Sequence, residues 1–347
     1  MDTPNSAHCS DPMYAYIVGD DYYQDIFVGR FSAQTFAQVA TQVDRSIAYE
    51  QNPETSESWY HKGVGIGSPE GTGDDGEYDW EHMRNIKNLL EGFTYSFVDE
   101  FYGGSQGGDD ADGEPENSDV VAALDDGRSI LNHCGHGAWD GIGWSANPGW
   151  SVLENSDVNS LTNDYQLPFV VLVACDSGDF ENYDSCFAET WLRATNDATG
   201  DPTGAIGCFA STQSQGWAPP MEGQDEIVDL LVNESFNTMG GLCYTGTMSM
   251  TEEYSAYDET DTWTLFVYPS LQIRTDIPGS LTVDHDDSVM EGSIELEVIV
   301  SGVEGALCAV SHNGVLLGYD YTDASGVALI SFAEPLADMD VLDLVVT

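Results

Sequence analysis

Pro168-Phe169-Val170-Val171-Leu172-Val173-Ala174-Cys175 is an uninterrupted apolar run that ends on a thiol and passes into Asp176-Ser177-Gly178. An apolar run without alternation marks a strand buried on both faces, the habit of parallel sheets covered by helices. Outward from it, 129–132 leads into Cys134-Gly135-His136-Gly137, and 204–210 reads as a third strand. Helical stretches fall between and after these strands, over 185–196 with Phe187, Trp191 and Leu192, and over 224–236 with Ile227, Leu230 and Leu231. Strand and helix alternate, so the fold class is α/β with a mainly parallel sheet flanked by helices.

Upstream, 14–18 and 25–31 read as two short strands around an acidic segment. Over 35–50, Phe36, Val39, Val43 and Ile47 recur at helical spacing, with Ser32 or Thr35 as the N-cap. A Gly/Asp/Glu loop over 67–78 precedes a helix at 80–91, and the Gly/Asp-rich 103–119 is expected to be a mobile surface loop without core residues. After Pro278 the texture changes. Ile294 to Val300 alternates, His312-Asn313-Gly314 is a hairpin turn, and further strands are expected at 315–319, 327–332 and 342–347. A small all-β domain is therefore expected over 278–347, after a larger unit over 1–277.

The chain has 347 residues, and its 8 Lys plus Arg against 61 Asp plus Glu give a formal charge of −53. At 41% hydrophobic and 11% aromatic it can bury a real core despite that charge. Such a polyanion is repelled by nucleic acid and by anionic membranes. Its longest apolar run falls far short of the ~20 residues that span a bilayer. A saline extracellular setting and a lineage-wide acidic habit both fit the dispersed charge. Met1 is followed at once by Asp-Thr-Pro-Asn, so no signal peptide is read. Cysteines stand at 9, 134, 175, 186, 208, 243 and 308, an odd count that leaves at least one outside any internal pairing.

In an open parallel sheet, functional groups gather beyond the carboxyl ends of strands. Two strands here deliver His136 between glycines and Cys175 before Asp176. A Cys–His pair suits nucleophilic acyl transfer, because a thiol is already nucleophilic near neutral pH and imidazole serves as its acid and base. The N–H groups of Gly137 and Cys175 are the candidate oxyanion hole. The competing readings are an inert core cysteine at 175 and a zinc site of His133, Cys134, His136 and Cys175. Asp21-Tyr22-Tyr23-Gln24-Asp25 places carboxylates four apart with carbonyls between them, the pattern of a hard-cation loop or of a plain acidic loop.

Several blocks resemble the gingipain family of cysteine peptidases: 17–21 with 27–31, Gly135-His136-Gly137, 167–169 leading to Val173-Ala174-Cys175, and 178–180. The likeness continues through 186–189, 202–204, 210–212, Trp217-Ala218, 223–226, 261–264 and 269–271. It implies a caspase-like peptidase domain over 1–277, lacking part of a first subdomain, and an immunoglobulin-like domain over 278–347. It further implies Cys175 as nucleophile, His136 as acid/base and Glu70 as the carboxylate that orients the imidazole, where otherwise Glu70 is a solvated loop acid. Asp79 matches the specificity aspartate of arginine-cleaving members, with Trp217 and Met221 lining the pocket; read alone, Asp79 is an exposed acid at a helix start. Calcium is implied on the Asp21 and Asp25 carboxylates and the Val18 and Tyr23 carbonyls, with no organic cofactor. The expected activity is a secreted, monomeric endopeptidase acting on proteins or peptides after Arg, then Lys. The alternative is a catalytically weak binding or adhesion module that keeps the fold.

Overall fold

The computed structural model describes residues 9–54, 58–145, 152–338 and 341–347. The chain divides into two compact units, 1–278 and 279–347. In chain order the first runs α1 (Phe36–Gln51), β1 (Lys62–Gly67), α2 (Asp79–Gly92), β2 (Phe97–Tyr102), α3 (Asn117–Asp125), β3 (Ile130–Cys134), β4 (His136–Ala138), β5 (Gly141–Gly143) and β6 (Val152–Glu154). It continues with α4 (Asn155–Val158), β7 (Phe169–Val173), α5 (Phe187–Arg193), β8 (Gly207–Ser211), α6 (Ala218–Val232), α7 (Met239–Tyr254), α8 (Tyr257–Thr262) and β9 (Trp263–Phe266).

Six strands form the central sheet in the order β2-β1-β3-β7-β8-β9, parallel except for β9 against β8. Every residue of β3, β7 and β8 is buried, because both faces are covered. Met83, Ile86 and Leu90 of α2 and Met221, Ile227 and Leu231 of α6 pack on one face. Val120 and Leu124 of α3, with Phe187 and Trp191 of α5, pack on the other. The glycines of β1 allow close approach. A Cβ on Gly67 would come within 2.8 Å of the Trp80 Cα, so α2 starts directly over the end of β1. That contact brings Asp79 to the strand ends.

Several sequence expectations are corrected. The strands expected at 14–18 and 25–31 do not form: Pro12–Ala15 is a single 3-10 turn and the rest is irregular. The segment meets the sheet's edge through the Arg30 N–H bond to the Leu265 carbonyl, and is otherwise held by side chains, among them Tyr16 on Asp261 and Tyr244 on the Val28 carbonyl. Single backbone bonds such as that of Arg30 do not make a ladder, so no strand forms. The 103–119 stretch is an ordered loop leading into α3. Asp110 accepts from the Tyr102 and Gln106 N–H groups, Arg84 donates to the Gln106 and Gly107 carbonyls, and Lys87 Nζ lies 2.6 Å from Asp109. α6 begins at Ala218, earlier than expected, because Pro219 and Pro220 occupy its first turn, where no N–H is needed. α7 lacks a legible periodicity because it is buried on most sides.

α1 forms as expected, with Thr35 in a capping box with Gln38, but its apolar stripe faces outward. Phe36 is 96% exposed, while Gln42, Arg45, Ser46 and Tyr49 are buried. The Arg45 guanidinium explains this orientation. It is fully buried and donates to the carbonyls of Trp191, Ala194 and Ala205, the first two at the end of α5. Helix-end carbonyls carry partial negative charge and lack intrahelical partners, so a cation satisfies them.

The second unit pairs β10 (Val283–His285), β11 (Glu295–Val300) and β14 (Val327–Ser331) in one antiparallel sheet, and β12 (Leu307–His312), β13 (Val315–Tyr321) and β15 (Asp343–Val346) in another. Leu296, Val298, Val310 and Ile330 are among its core. Asn313 and Gly314 both have positive φ, as a two-residue hairpin turn requires.

Replacing Arg45 by Met takes the guanidinium away from three buried carbonyls: Trp191 and Ala194 keep backbone donors in the Ala205 and Thr203 N–H groups, while the Ala205 carbonyl loses its side-chain donor. We expect a loss of about 3 kcal/mol, measured as a lower urea midpoint at unchanged slope.

Candidate active site

The register of β3 on β7 pairs Cys134 with Val173. His136 and Cys175 each lie two residues beyond that pair and so leave the sheet together. Between them Gly137 makes the close approach. A Cβ there would sit 2.5 Å from the Cys175 carbonyl oxygen and 3.0 Å from its nitrogen. The Gly137 and Cys175 backbones, the candidate oxyanion donors, are therefore in direct contact. Cys175 is partly exposed, with its Sγ 4.0 Å from the Gln215 carbonyl. Gln215 Oε1 accepts from the Ala174 N–H at 2.9 Å and fixes the strand end.

Glu70 is brought to the site. Its Oε2 lies 3.0 Å from His136 Nε2, which leaves Nδ1 as the nitrogen free for a reacting group. The imidazole packs edge-on to Trp217, with ring centroids 6.3 Å apart. Ser68 ties the carboxylates together: its hydroxyl accepts from the Glu70 N–H and donates to Asp79 Oδ2 at 2.5 Å, while the Asp79 N–H donates to the Glu70 carbonyl.

Asp79 is fully buried at the first position of α2, so the reading as an exposed acid falls. Its donors are Ser68, the Trp217 indole N–H at 3.0 Å, and the Cys134 thiol. Burial pushes the Asp79 carboxyl above its usual range, opposed by these three donors and by the charge of His82. Burial likewise holds the Cys134 thiol far above its usual value, so it stays protonated as a donor. Asp79, Cys134, Gly135, His136, Cys175, Gln215 and Trp217 line a cavity of about 70 Å³. Met221 stands beside it, touching the 71–77 loop so tightly that a Cβ on Gly73 would meet its sulfur and the Trp217 ring. Ser68 and Gln215 were not picked out from the sequence, and Cys134 only as a zinc ligand; the position of Ser68 two residues before Glu70, at a strand end, was the available signal.

The zinc tetrad does not assemble. Side chains alternate along β3, so His133 and Cys134 face opposite sides of the sheet. His133 lies fully buried with Nε2 3.3 Å from the Gly143 carbonyl, and burial lowers its pKa to about 4. No group of three or more His, Cys, Asp or Glu poised for a metal occurs among the described residues. In the 18–25 loop, Asp25 Oδ2 accepts from the Ile17 and Val18 N–H groups, which lowers its pKa, and Asp21 Oδ1 accepts from the Tyr23 N–H. All seven cysteines are free thiols, and no helix among the described residues is long and apolar enough to cross a membrane.

The sequence model of Peptidase family C25 matches residues 3–274. The chain belongs to that family. Gingipain R2 of Porphyromonas gingivalis, a C25 relative, is 36% identical over 97% of this chain and 44% of its own length. Gingipain R1 of the same organism is 37% identical over 89% of this chain and 30% of its own length. This chain thus spans less than half of these curated relatives. The crystal structure of the Arg specific cysteine proteinase gingipain R superposes with a TM-score of 0.89 at 36% identity, over 97% of this chain and 76% of the other. The α/β architecture is accordingly the caspase-like fold of C25 peptidases.

A carboxyl with a raised folded-state pKa holds its proton where the unfolded group has lost it, so ionised Asp79 opposes folding at neutral pH. Asp79→Asn is expected to raise the neutral-pH melting temperature by about 2 °C. That gap should close as pH falls through the raised value, where wild-type Asp79 becomes neutral too; calorimetry across pH checks both.

Proposed function

We propose that this chain is a cysteine endopeptidase cutting peptide bonds in proteins and peptides after basic residues, Arg ahead of Lys. The observation that carries the reading is the buried carboxylate of Asp79, whose hydrogen-bond donors are all neutral, in the same small cavity as Cys175 and His136. The description of gingipain R as Arg specific supports it.

In this mechanism the Cys175 thiolate attacks the scissile carbonyl carbon, forming a C–S bond and an oxyanion held by the Gly137 and Cys175 N–H groups. His136, carrying a proton on Nδ1, passes it to the leaving amine as the C–N bond breaks, which leaves a thioester. Water then attacks the thioester, His136 takes the proton, and the thiolate is released. Glu70 on Nε2 holds the tautomer and stabilises the imidazolium, as carboxylates do in catalytic triads. An entering guanidinium displaces the Trp217 indole from Asp79 and takes both carboxylate oxygens, which a lysine ammonium does less well. The displaced indole and Met221 flank the apolar stem.

We further propose that the 18–25 loop takes calcium, with Asp21 and Asp25 supplying carboxylate oxygens not already held by backbone N–H groups, and Val18 and Tyr23 supplying carbonyls. Secretion is part of the same reading, since millimolar calcium is an extracellular condition.

Cys175→Ala should abolish amide hydrolysis with folding intact, and labelling by an arginyl chloromethyl ketone should map to Cys175. Near-native activity in Cys175→Ala sinks the proposal. Asp79→Asn should lower kcat/KM for Arg substrates by about 2–4 kcal/mol. Molar salt isolates the pocket from the long-range field of the −53 charge, so an Arg preference that survives salt and also survives Asp79→Asn places specificity elsewhere.

Calcium at millimolar concentration should raise the melting temperature relative to chelator at constant ionic strength, by preferential binding to the folded state. Identical curves remove the metal.

A further inference from the structure

Behind the pocket runs a line of buried polar side chains that the mechanism does not use. His82, Gln224 and Asn132 are each at most 1% exposed. His82 Nε2 lies 3.1 Å from Gln224 Oε1, and Gln224 Nε2 donates to Asn132 Oδ1 at 3.0 Å, with the Val171 carbonyl 3.5 Å away. His82 sits on α2 one turn after Asp79. Gln224 sits on α6, which follows Trp217 and carries Met221. Asn132 and Val171 lie on β3 and β7, the strands that deliver His136 and Cys175. The line thus touches each of the four elements that build the cavity.

Its outer end is charged. His82 Nδ1 lies 3.4 Å from Asp225 Oδ1 on α6 and 3.7 Å from Glu77 Oε2 in the loop before α2, with no in-line hydrogen bond to either. Three carboxylates therefore face the ring: Glu77, Asp225 and, across one helical turn, Asp79. The Cys134 thiol on β3, which donates to Asp79, is neutral. A buried imidazole among three carboxylates and an amide oxygen favours the cation, and a buried cation held from two helices fixes their relative position.

We propose that His82, as an imidazolium, is the positioning residue of the basic-residue pocket: it pins α2 to α6 and so sets Asp79 against Trp217. This rests on the reading of Asp79 as the pocket floor. Desolvation opposes the charge, but Asp225 and Glu77 prevail and raise the His82 pKa to about 10. The clamp is therefore complete below the unfolded value of 6.5, intact through neutral pH, and lost as pH rises through about 10.

The test uses benzamidine as a probe of the pocket that needs no catalysis, with the dissociation constant taken from calorimetry. His82→Gln keeps a donor toward Gln224 and loses the charge; we expect its Kd to rise about tenfold at pH 7, with the loss in peptide cleavage falling on KM more than on kcat. In the wild type the Kd should climb across the alkaline window around pH 10, and in His82→Gln that limb should vanish. Asp225 is on the rim, so Asp225→Asn is the variant that keeps the test alive if His82→Gln misfolds; its Kd should rise by a smaller factor, with the alkaline limb moved to lower pH. A folded His82→Gln with wild-type affinity, a limb that persists in it, or an Asp225→Asn that changes neither affinity nor limb overturns the inference. The two readings fail separately: if Asp79→Asn abolishes benzamidine binding and His82→Gln does not, the clamp falls and the pocket stands. A wild type that binds no benzamidine overturns both.

Discussion

The pairing of Cys134 with Val173 is the constraint on which the site depends. Parallel strands hold one register along their length, so a slip by one residue would carry His136 or Cys175 to the other face. Both strands are buried on both sides, so the packing of the five apolar residues of β7 and of Ile130, Leu131 and Cys134 of β3 opposes any slip. Given that register, the remaining geometry follows from missing side chains. Gly137 touches the Cys175 peptide, Gly67 admits α2 over the end of β1, and α2 carries Asp79 to within reach of Ser68. The acidic partner of His136 then comes from the same turn, because the Asp79 N–H is bonded to the Glu70 carbonyl.

Charge is spent with unusual economy. All eight lysines and arginines are engaged inside the molecule. Arg30 grips Asp11, Arg84 and Lys87 share Glu100, Arg128 holds Asp99, Lys62 holds Asp126, and Arg193 holds Glu189. Arg45 takes three carbonyls, and Arg274 reaches the Glu50 carbonyl. The cations therefore anchor loops and helix ends, while most of the acids among the described residues make no ion pair with a Lys or Arg. A surface of one sign gives cationic ligands a long-range attraction that salt removes, and it leaves a desolvated carboxylate as the contact that salt does not remove.

The alternation of strands and helices was legible because apolar runs such as Phe169–Val173 need no partner to be recognised. The 14–18 and 25–31 segments misled because short apolar stretches say nothing about whether an edge is available to pair with. α1 misled for a different reason. Its stripe of Phe36, Val39, Val43 and Ile47 is a true periodicity, yet Arg45 on the opposite side faces carbonyls that only the folded α5 presents. At the site, His136 and Cys175 were readable as strand-end residues, and Glu70 and Asp79 through family likeness. Ser68, Gln215 and the His82–Gln224–Asn132 line were not, and Cys134 was read as a zinc ligand rather than as a donor to Asp79, since a single serine or glutamine carries no pattern and becomes informative only once its distance to a carboxylate is known.

What Asp79 does before a ligand arrives bears on selectivity. Its oxygens are not bare; they accept from a hydroxyl, a thiol and an indole, all neutral. The indole is the one among them that is substantially exposed and so free to leave, at 41% against full burial of Ser68. A guanidinium that replaces it exchanges one hydrogen bond from a neutral donor for two from a cation, in a bidentate pair in which both partners are charged. An apolar side chain that pushes the indole aside offers no donor in return and strands a buried carboxylate, a loss of about 1–3 kcal/mol or more for a charged group. The preference proposed for this pocket would then arise as much from what the empty pocket already holds as from what a basic side chain adds. Such an exchange would require that the walls stay in place while the indole moves, which is the task proposed for the His82 clamp that lies behind them and takes no part in the exchange.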